Sequence, residues 1–148
     1  MLKLSTKGRY GARAMLELTL NYGDKPILLR EVAKNQEISL GYLEHIFHLL
    51  KQAGLINSGR GAHGGYTLAK PPEKITLEEV IRALEGRMDI VECISTPGVC
   101  RRVKSCVTRD IWEEITGKIK NILDSVTLQD MLERQQKKNA SQSLSYSI

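Results

Sequence analysis

A mainly α-helical fold with one two-stranded β hairpin and a long C-terminal helix is what this sequence predicts, and three observations carry the prediction. Apolar residues recur at intervals of three and four along several separate stretches, the signature of helices with one buried face. Two short β-prone runs, Leu55-Ile56-Asn57-Ser58 and Tyr66-Thr67-Leu68, flank a glycine-rich tip. Finally, Ile111, Ile115, Ile119, Ile122 and Val126 form a stripe spaced four, four, three and four. With 148 residues, 41% hydrophobic and 26% charged, the chain is of ordinary globular composition and long enough for one domain or a small domain plus an appendage.

The elements follow in order. Residues 6–21 form a first helix, with Tyr10, Ala14, Leu18 and Tyr22 at spacing four and Ser5 or Thr6 able to cap it. Gly23-Asp24-Lys25-Pro26 ends it, and Ile27-Leu28-Leu29 is a short extended piece. A second helix covers about 30–36. After a brief turn, Ser39 caps a third helix over 40–53, whose Leu40, Leu43, Ile46, Phe47 and Leu50 face the core. Its other face carries Gly41, Tyr42, Glu44, His45, His48 and Lys51, and Gly54 closes it. Helix, short turn and helix in this form is how major-groove readers present a recognition helix.

The hairpin comes immediately afterwards. Its tip, Gly59-Arg60-Gly61-Ala62-His63-Gly64-Gly65, has Arg60 and His63 as its long polar side chains. Alone it is an ordinary hairpin loop. After a helix-turn-helix it reads as a wing, with Arg60 suited to a minor groove. It is a poor phosphate-binding loop, because no Gly-Lys-Ser/Thr follows and a strand comes next. Pro71-Pro72 marks a boundary, and Thr76 with Glu79 makes a capping box for a helix over 76–86.

Then comes a stretch without helical or strand period, read as a loop, that holds all three cysteines: Cys93, Cys100 and Cys106, spaced C-x6-C-x5-C. Arg101, Arg102 and Lys104 lie among them. Such a loop could ligate a metal or sense redox state, since thiolate is the soft ligand and nearby cations favour it. The C-x2-4-C pairs usual for zinc are absent. The helix over 108–126 is apolar enough along one side to need a partner, either a second copy or its own domain. A short helix begins at Thr127, and the polar, serine-rich tail is expected to be disordered. The organisation expected is 1–72 DNA-binding, 73–107 connecting helix and cysteine loop, 108–135 dimerisation helices and 136–148 tail.

Charge narrows the function. Net charge is +5, and residues 1–71 hold ten Lys+Arg against five Asp+Glu, whereas the remainder balances at twelve each. Lys3, Lys7, Arg9 and Arg13 stand in the first thirteen residues without an acid. This is either a solvated basic face or the footprint of a nucleic-acid surface. No run of about 18 apolar residues suggests a membrane span, and the N-terminal residues lack the apolar core of a signal peptide. A cytoplasmic protein with reduced thiols and no membrane partner is expected. The lack of a nucleotide fingerprint, a C-x-x-C pair or an acid/base constellation argues against an enzyme.

Leu4-Ser5-Thr6-Lys7-Gly8-Arg9-Tyr10, Ile38-Ser39-Leu40-Gly41-Tyr42-Leu43-Glu44 and Arg60-Gly61-x-x-Gly64-Gly65-Tyr66, in this order and followed by the thiol loop, resemble the BadM/IscR-type family of bacterial transcription regulators. The resemblance covers about residues 1–135. It implies a homodimeric winged helix-turn-helix that crosses its long C-terminal helices and binds a palindromic operator in double-stranded DNA. It also implies that Cys93, Cys100 and Cys106 ligate an iron–sulfur cluster, 2Fe-2S or 4Fe-4S. The fourth ligand does not carry over. One type of cluster-binding member has a histidine three residues after the third cysteine, where this chain has Arg109. Another borrows an aspartate from the first helix of the other subunit, and residues 1–23 here contain none. Glu92, Asp110, a backbone group, water, a thiol cofactor or Arg109 itself remain for that position.

On this reading Thr6, Lys7 and Arg9 bind the DNA backbone. Ser39, Gly41, Tyr42, Glu44 and His45 face base edges or phosphates, and Arg60 with His63 serves the wing. The expected function is a repressor whose thiol loop senses cluster, iron or redox status. The alternatives are a metal-free thiol or cysteine-metabolism repressor of the same fold, a cluster-carrying redox protein with no DNA role, and a protein-interaction module.

Overall fold

Ser5 opens the first helix, α1 (Thr6–Leu20), by accepting the Gly8 amide on its hydroxyl at 3.1 Å. The computed structural model describes residues 2–59 and 64–146. Along α1, Ala14, Met15 and Leu18 point into the core. Buried Glu17 faces α2 (Leu29–Gln36), where its carboxylate accepts from Asn35 at 2.6 Å and Gln36 at 2.8 Å. Arg13 donates from α1 to both the side chain and the carbonyl of Gln36. Glu37, at φ 55, then turns the chain so that Ile38 is buried and Ser39 caps α3 (Leu40–Gln52). This is the helix-turn-helix, and its inner face is Leu43, Ile46, Phe47 and Leu50.

The hairpin pairs β1 (Ile56–Ser58) with β2 (Tyr66–Leu68) antiparallel, with Ile56 opposite Leu68 and Ser58 opposite Tyr66. Ile27, predicted extended, adds a bridge: its amide donates to the Tyr66 carbonyl at 3.1 Å and its carbonyl accepts the Tyr66 amide at 2.8 Å. Gly65 makes this close approach possible, because a Cβ there would lie 2.9 Å from the Ile27 oxygen. Tyr66 in turn sets its ring edge-on to Phe47, with centroids 4.8 Å apart, so the wing is anchored on the recognition helix.

A 3-10 turn over Pro72–Lys74 leads into α4 (Leu77–Glu85), where Thr76 and Glu79 exchange cap hydrogen bonds as predicted. Leu84 packs so closely on α1 that a Cβ on Gly11 would collide with its Cδ1. After α4 come a short helix, α5 (Glu92–Ser95), a 3-10 turn over Pro97–Val99, and the long α6 (Val107–Ser125). The chain then returns: Leu77 donates to the Val126 carbonyl at 2.8 Å and Leu128 to the Ile75 carbonyl at 2.9 Å. This short ladder sets the start of α7 (Leu128–Tyr146) beside the start of α4. Thr127 and Asp130 repeat the reciprocal cap, and the two Thr127 donors hold the Asp130 carboxyl below its usual range.

Three expectations are corrected. The tail after residue 135 is helical, not disordered, as far as Tyr146. Its polar residues include good helix formers, neither Gly nor Pro interrupts 128–146, and Gln135 bonds Asn139 four residues on at 3.0 Å. The cysteine stretch is not all loop, because α5 and the 3-10 turn are too short to produce a detectable period. Leu40 is 45% exposed rather than in the core. It stands at the first helical position of α3, where the side chain leans back past the core's edge.

Leu128 is fully buried among residues of the helix-turn-helix half. Leu128→Ala should therefore destabilise the folded chain by about 2–5 kcal/mol, read as a lower urea midpoint with unchanged slope. A midpoint equal to that of the wild type would mean that α7 is not part of the core.

Candidate functional site

The first turns of α1 and α3 come together at one end of the helix-turn-helix. Ser5, Thr6 and Lys7 from α1, Tyr42 and His45 from α3 and Glu85 from α4 line one open notch. Tyr42 is half-buried with its ring edge-on to Tyr10, centroids 5.9 Å apart, which fixes the α3 side of the notch. Thr6 accepts from Arg9 at 3.1 Å, so these two predicted backbone-binding residues form one unit. The Ser39 hydroxyl accepts the Tyr42 amide at 3.3 Å and keeps its proton for an outside acceptor. Gly41, Glu44 and His45 are exposed along the start of α3, and a Cβ on Gly41 would meet nothing within 4 Å, so a large partner can approach the backbone there. Arg60 and His63, predicted for the wing tip, lie outside the described residues.

The charge of this face is less uniform than the sequence implies. Arg13 is committed to Gln36 and lies 5.5 Å from the centroid of the Tyr10 ring, so it is a structural cation. Glu85 brings a carboxylate into the notch. Nothing local marks it: it is 80 positions from Ser5, its hydrogen-bond partner. Leu40, assigned to the core by periodicity, instead adds an exposed apolar group beside Gly41.

The second region is the thiol segment. Cys93 on α5 and Cys106 at the start of α6 are half-exposed, Cys100 is exposed, and all three are free thiols. Cys106 is held below the ordinary thiol range, first by the Thr108 hydroxyl 3.2 Å from its sulfur, then by the backbone amides of Arg109 and Thr108, against an opposing Asp110. Arg109 is mostly buried, with 14% of its side chain exposed. Its Nε donates to the Cys93 carbonyl at 3.3 Å and its Nη1 to Glu113 at 3.3 Å, so it ties α5 to α6.

As donors, three accessible thiols suit an iron–sulfur cluster. Their arrangement is another matter. Cys93, Cys100 and Cys106 are not brought together, and among the described residues no group of three His, Cys, Asp or Glu side chains is disposed to hold a metal ion. Glu92 and Asp110 are exposed and complete no such set.

The exposed side of α6 is the third feature. No residue of this helix is buried in the single chain. It rests on α4, and Thr116 also accepts from the amide of Ile90 in the segment that follows α4, at 3.4 Å. Yet Val107, Ile111, Trp112 and Ile122 are 71%, 47%, 38% and 64% exposed. One expected use of the helix, packing on its own domain, is seen on one side, and its other side carries exposed apolar residues. Among the described residues, no helix is long and apolar enough to cross a membrane.

Residues 4–134 match the family described as Rrf2, an iron-dependent transcriptional regulator. The protein Rrf2 of Nitratidesulfovibrio vulgaris is 38% identical over 131 residues, spanning 88% of this chain and 87% of the relative. Among solved structures, CymR, the global cysteine regulator of B. subtilis, superposes with a TM-score of 0.76 at 40% identity, covering 90% of this chain and 98% of that one. IscR of T. potens superposes with a TM-score of 0.75 at 40% identity, covering 90% and 88%. The winged helix-turn-helix read from the sequence is therefore the fold of these regulators, and the chain belongs to the Rrf2 family as an IscR- and CymR-like, DNA-binding transcriptional regulator rather than an enzyme.

Proposed function

We propose that the chain acts in the cytoplasm as a homodimeric repressor of a palindromic operator, with Cys93, Cys100 and Cys106 as its sensor. The observation that carries the DNA reading is the notch itself, where cation, hydroxyl and imidazole donors from the starts of α1 and α3 converge on one open face. Thr6, Lys7 and Arg9 meet phosphates. Ser39, Tyr42, Glu44 and His45 meet base edges, with Glu44 suited to cytosine N4 and Leu40 to a thymine methyl. Gly41 lets the groove edge come close, and Arg60 with His63 serves the minor groove.

The apolar side of α6 supports the dimer. Ile111 and Ile122 are eleven residues apart, three helical turns, and so share a face. A second copy of the same helix covers such a stripe and sets two recognition helices at a fixed spacing, as a two-fold operator requires.

For the sensor, the donor chemistry favours an iron–sulfur cluster held by the three cysteines as thiolates. Such a group would give the protein sensitivity to iron supply and to oxidants. Arg101, Arg102 and Lys104, all exposed, would offset the negative charge of the thiolates. A second reading, sensing by the thiols without metal, is supported by the lack, among the described residues, of three donor side chains grouped to hold a metal ion, and by a similar protein named as a cysteine regulator.

Three outcomes test these points. Lys7→Ala should weaken binding to all duplexes alike and reduce the slope of log affinity against log salt by about one. An unchanged slope would remove Lys7 from the interface. The Ile111→Glu/Ile122→Glu variant should sediment as a folded monomer where the wild type sediments as a dimer. A monomeric wild type at micromolar concentration would sink the α6 interface. Protein purified without oxygen should be coloured and contain iron and sulfide, and each Cys→Ala change should abolish the colour. Colourless, iron-free protein whose DNA affinity responds to thiol oxidation would establish the metal-free reading instead.

A further inference from the structure

Glu85 is the last residue of α4, and its carboxylate reaches across to α1. Its Oε1 accepts from the Ser5 amide at 2.9 Å and from the Ser5 hydroxyl at 2.5 Å. That hydroxyl also accepts the Gly8 amide at 3.1 Å, so one serine oxygen links Glu85 to the first turn of α1. Gly8 leaves the room this needs, because a Cβ there would collide with Glu85 Oε1. The clamp lies in the notch that also holds Thr6, Lys7, Tyr42 and His45.

A carboxylate is the wrong charge for a face that meets phosphates. It repels every duplex, whatever the sequence. Its hydrogen bonds, however, fix the α1 turn that carries Thr6 and Lys7. α4 packs against both α1 and α3, so a side chain anchored on it holds one DNA-facing turn in register with the other. We infer that Glu85 is a positioning residue for sequence discrimination. Through Ser5 it sets Thr6 and Lys7 so that they reach phosphates in the same pose in which Tyr42 and His45 reach bases. It thereby lowers affinity for arbitrary DNA and raises the preference for the right sequence. The inference rests on the DNA-binding reading of the α1–α3 face.

The test compares the full-length wild type with Glu85→Ala, Glu85→Gln and Ser5→Ala. The probes are a duplex enriched by the wild type from a randomised library and a random-sequence duplex of equal length. Affinities are measured by fluorescence anisotropy at one salt concentration, with thermal melts by circular dichroism for every variant. Glu85→Ala should reduce the ratio of selected to random affinity about tenfold, with random-duplex binding unchanged or tighter. Glu85→Gln keeps an oxygen able to accept both Ser5 bonds and should retain the ratio within about threefold. Ser5→Ala, which removes the α1 cap together with the hydroxyl link and whose folding is checked by its melt, should lower the ratio as Glu85→Ala does. The double variant should fall no further than either single change.

An unchanged ratio in both Glu85→Ala and Ser5→Ala overturns the inference, because the carboxylate then only repels. Fully additive losses overturn it as well, since the two residues would then act separately. A wild type that enriches no duplex at all overturns the DNA-binding reading, and the inference with it.

Discussion

The structure depends on how closely α1 and α4 approach each other. Gly8 and Gly11 are one helical turn apart on α1, and each faces a neighbour from the end of α4, Glu85 and Leu84 in turn. A side chain at Gly11 would press on buried Leu84, which a close-packed interior has no slack to absorb, whereas one at Gly8 would displace the Glu85 carboxylate and break its clamp on Ser5. With the glycines in place, α4 forms a common floor under α1 and α3. The helix-turn-helix is held from behind, and its outer face is left for a partner. The same contact puts Glu85 in the notch with the proposed DNA-binding residues, although α4 itself lies behind them.

Much of this was legible in the sequence, and the parts that were share a cause. Leu43, Ile46, Phe47 and Leu50 are spaced for one helix face, Ser39 and Thr76 are caps, and Gly54 stops a helix; each is a local signal and each is realised. What could not be read depends on distance along the chain or on the absence of period. The Ser5–Glu85 clamp joins positions 80 apart. The burial of Leu128 follows from the ladder between residues 75–77 and 126–128, which no nearby residue announces. Leu40 has the right spacing but stands at a helix start, where spacing no longer guarantees cover. The length of α7 is not announced by its polar sequence, because Gln, Lys and Ala suit a disordered tail as well as a helix whose start is anchored by a buried Leu128.

The thiol segment shows the same division more sharply. Three cysteines near one another in sequence suggest three sulfurs near one another in space. Instead, α5 carries Cys93 to one place, the 3-10 turn leaves Cys100 exposed, and Cys106 begins α6. Arg109 resolves part of this. Its guanidinium holds the Cys93 carbonyl against α6, a hydrogen bond that tethers α5 without any metal. The segment thus has its own means of staying docked, which a site ordered only by its ligands would lack.

This placement limits how any signal from the thiols can reach DNA. A ligand changes a regulator only through its different affinity for two arrangements of the protein. The thiol segment is joined to α4 through Gly86, at φ 76, and to α6 through Arg109 and Cys106. α4 also packs against α6 on one side and α1 on the other. A shift of α6 relative to α4 would therefore act on a helix that touches both α1 and α3. Because Gly11 packs against buried Leu84 at the α1–α4 contact, the softer joint is between α4 and α6, where no α6 residue is buried. The helix-turn-helix is then expected to respond as a rigid body. In the proposed dimer, a signal from the thiol segment would alter the spacing of the two α3 helices rather than the shape of either one.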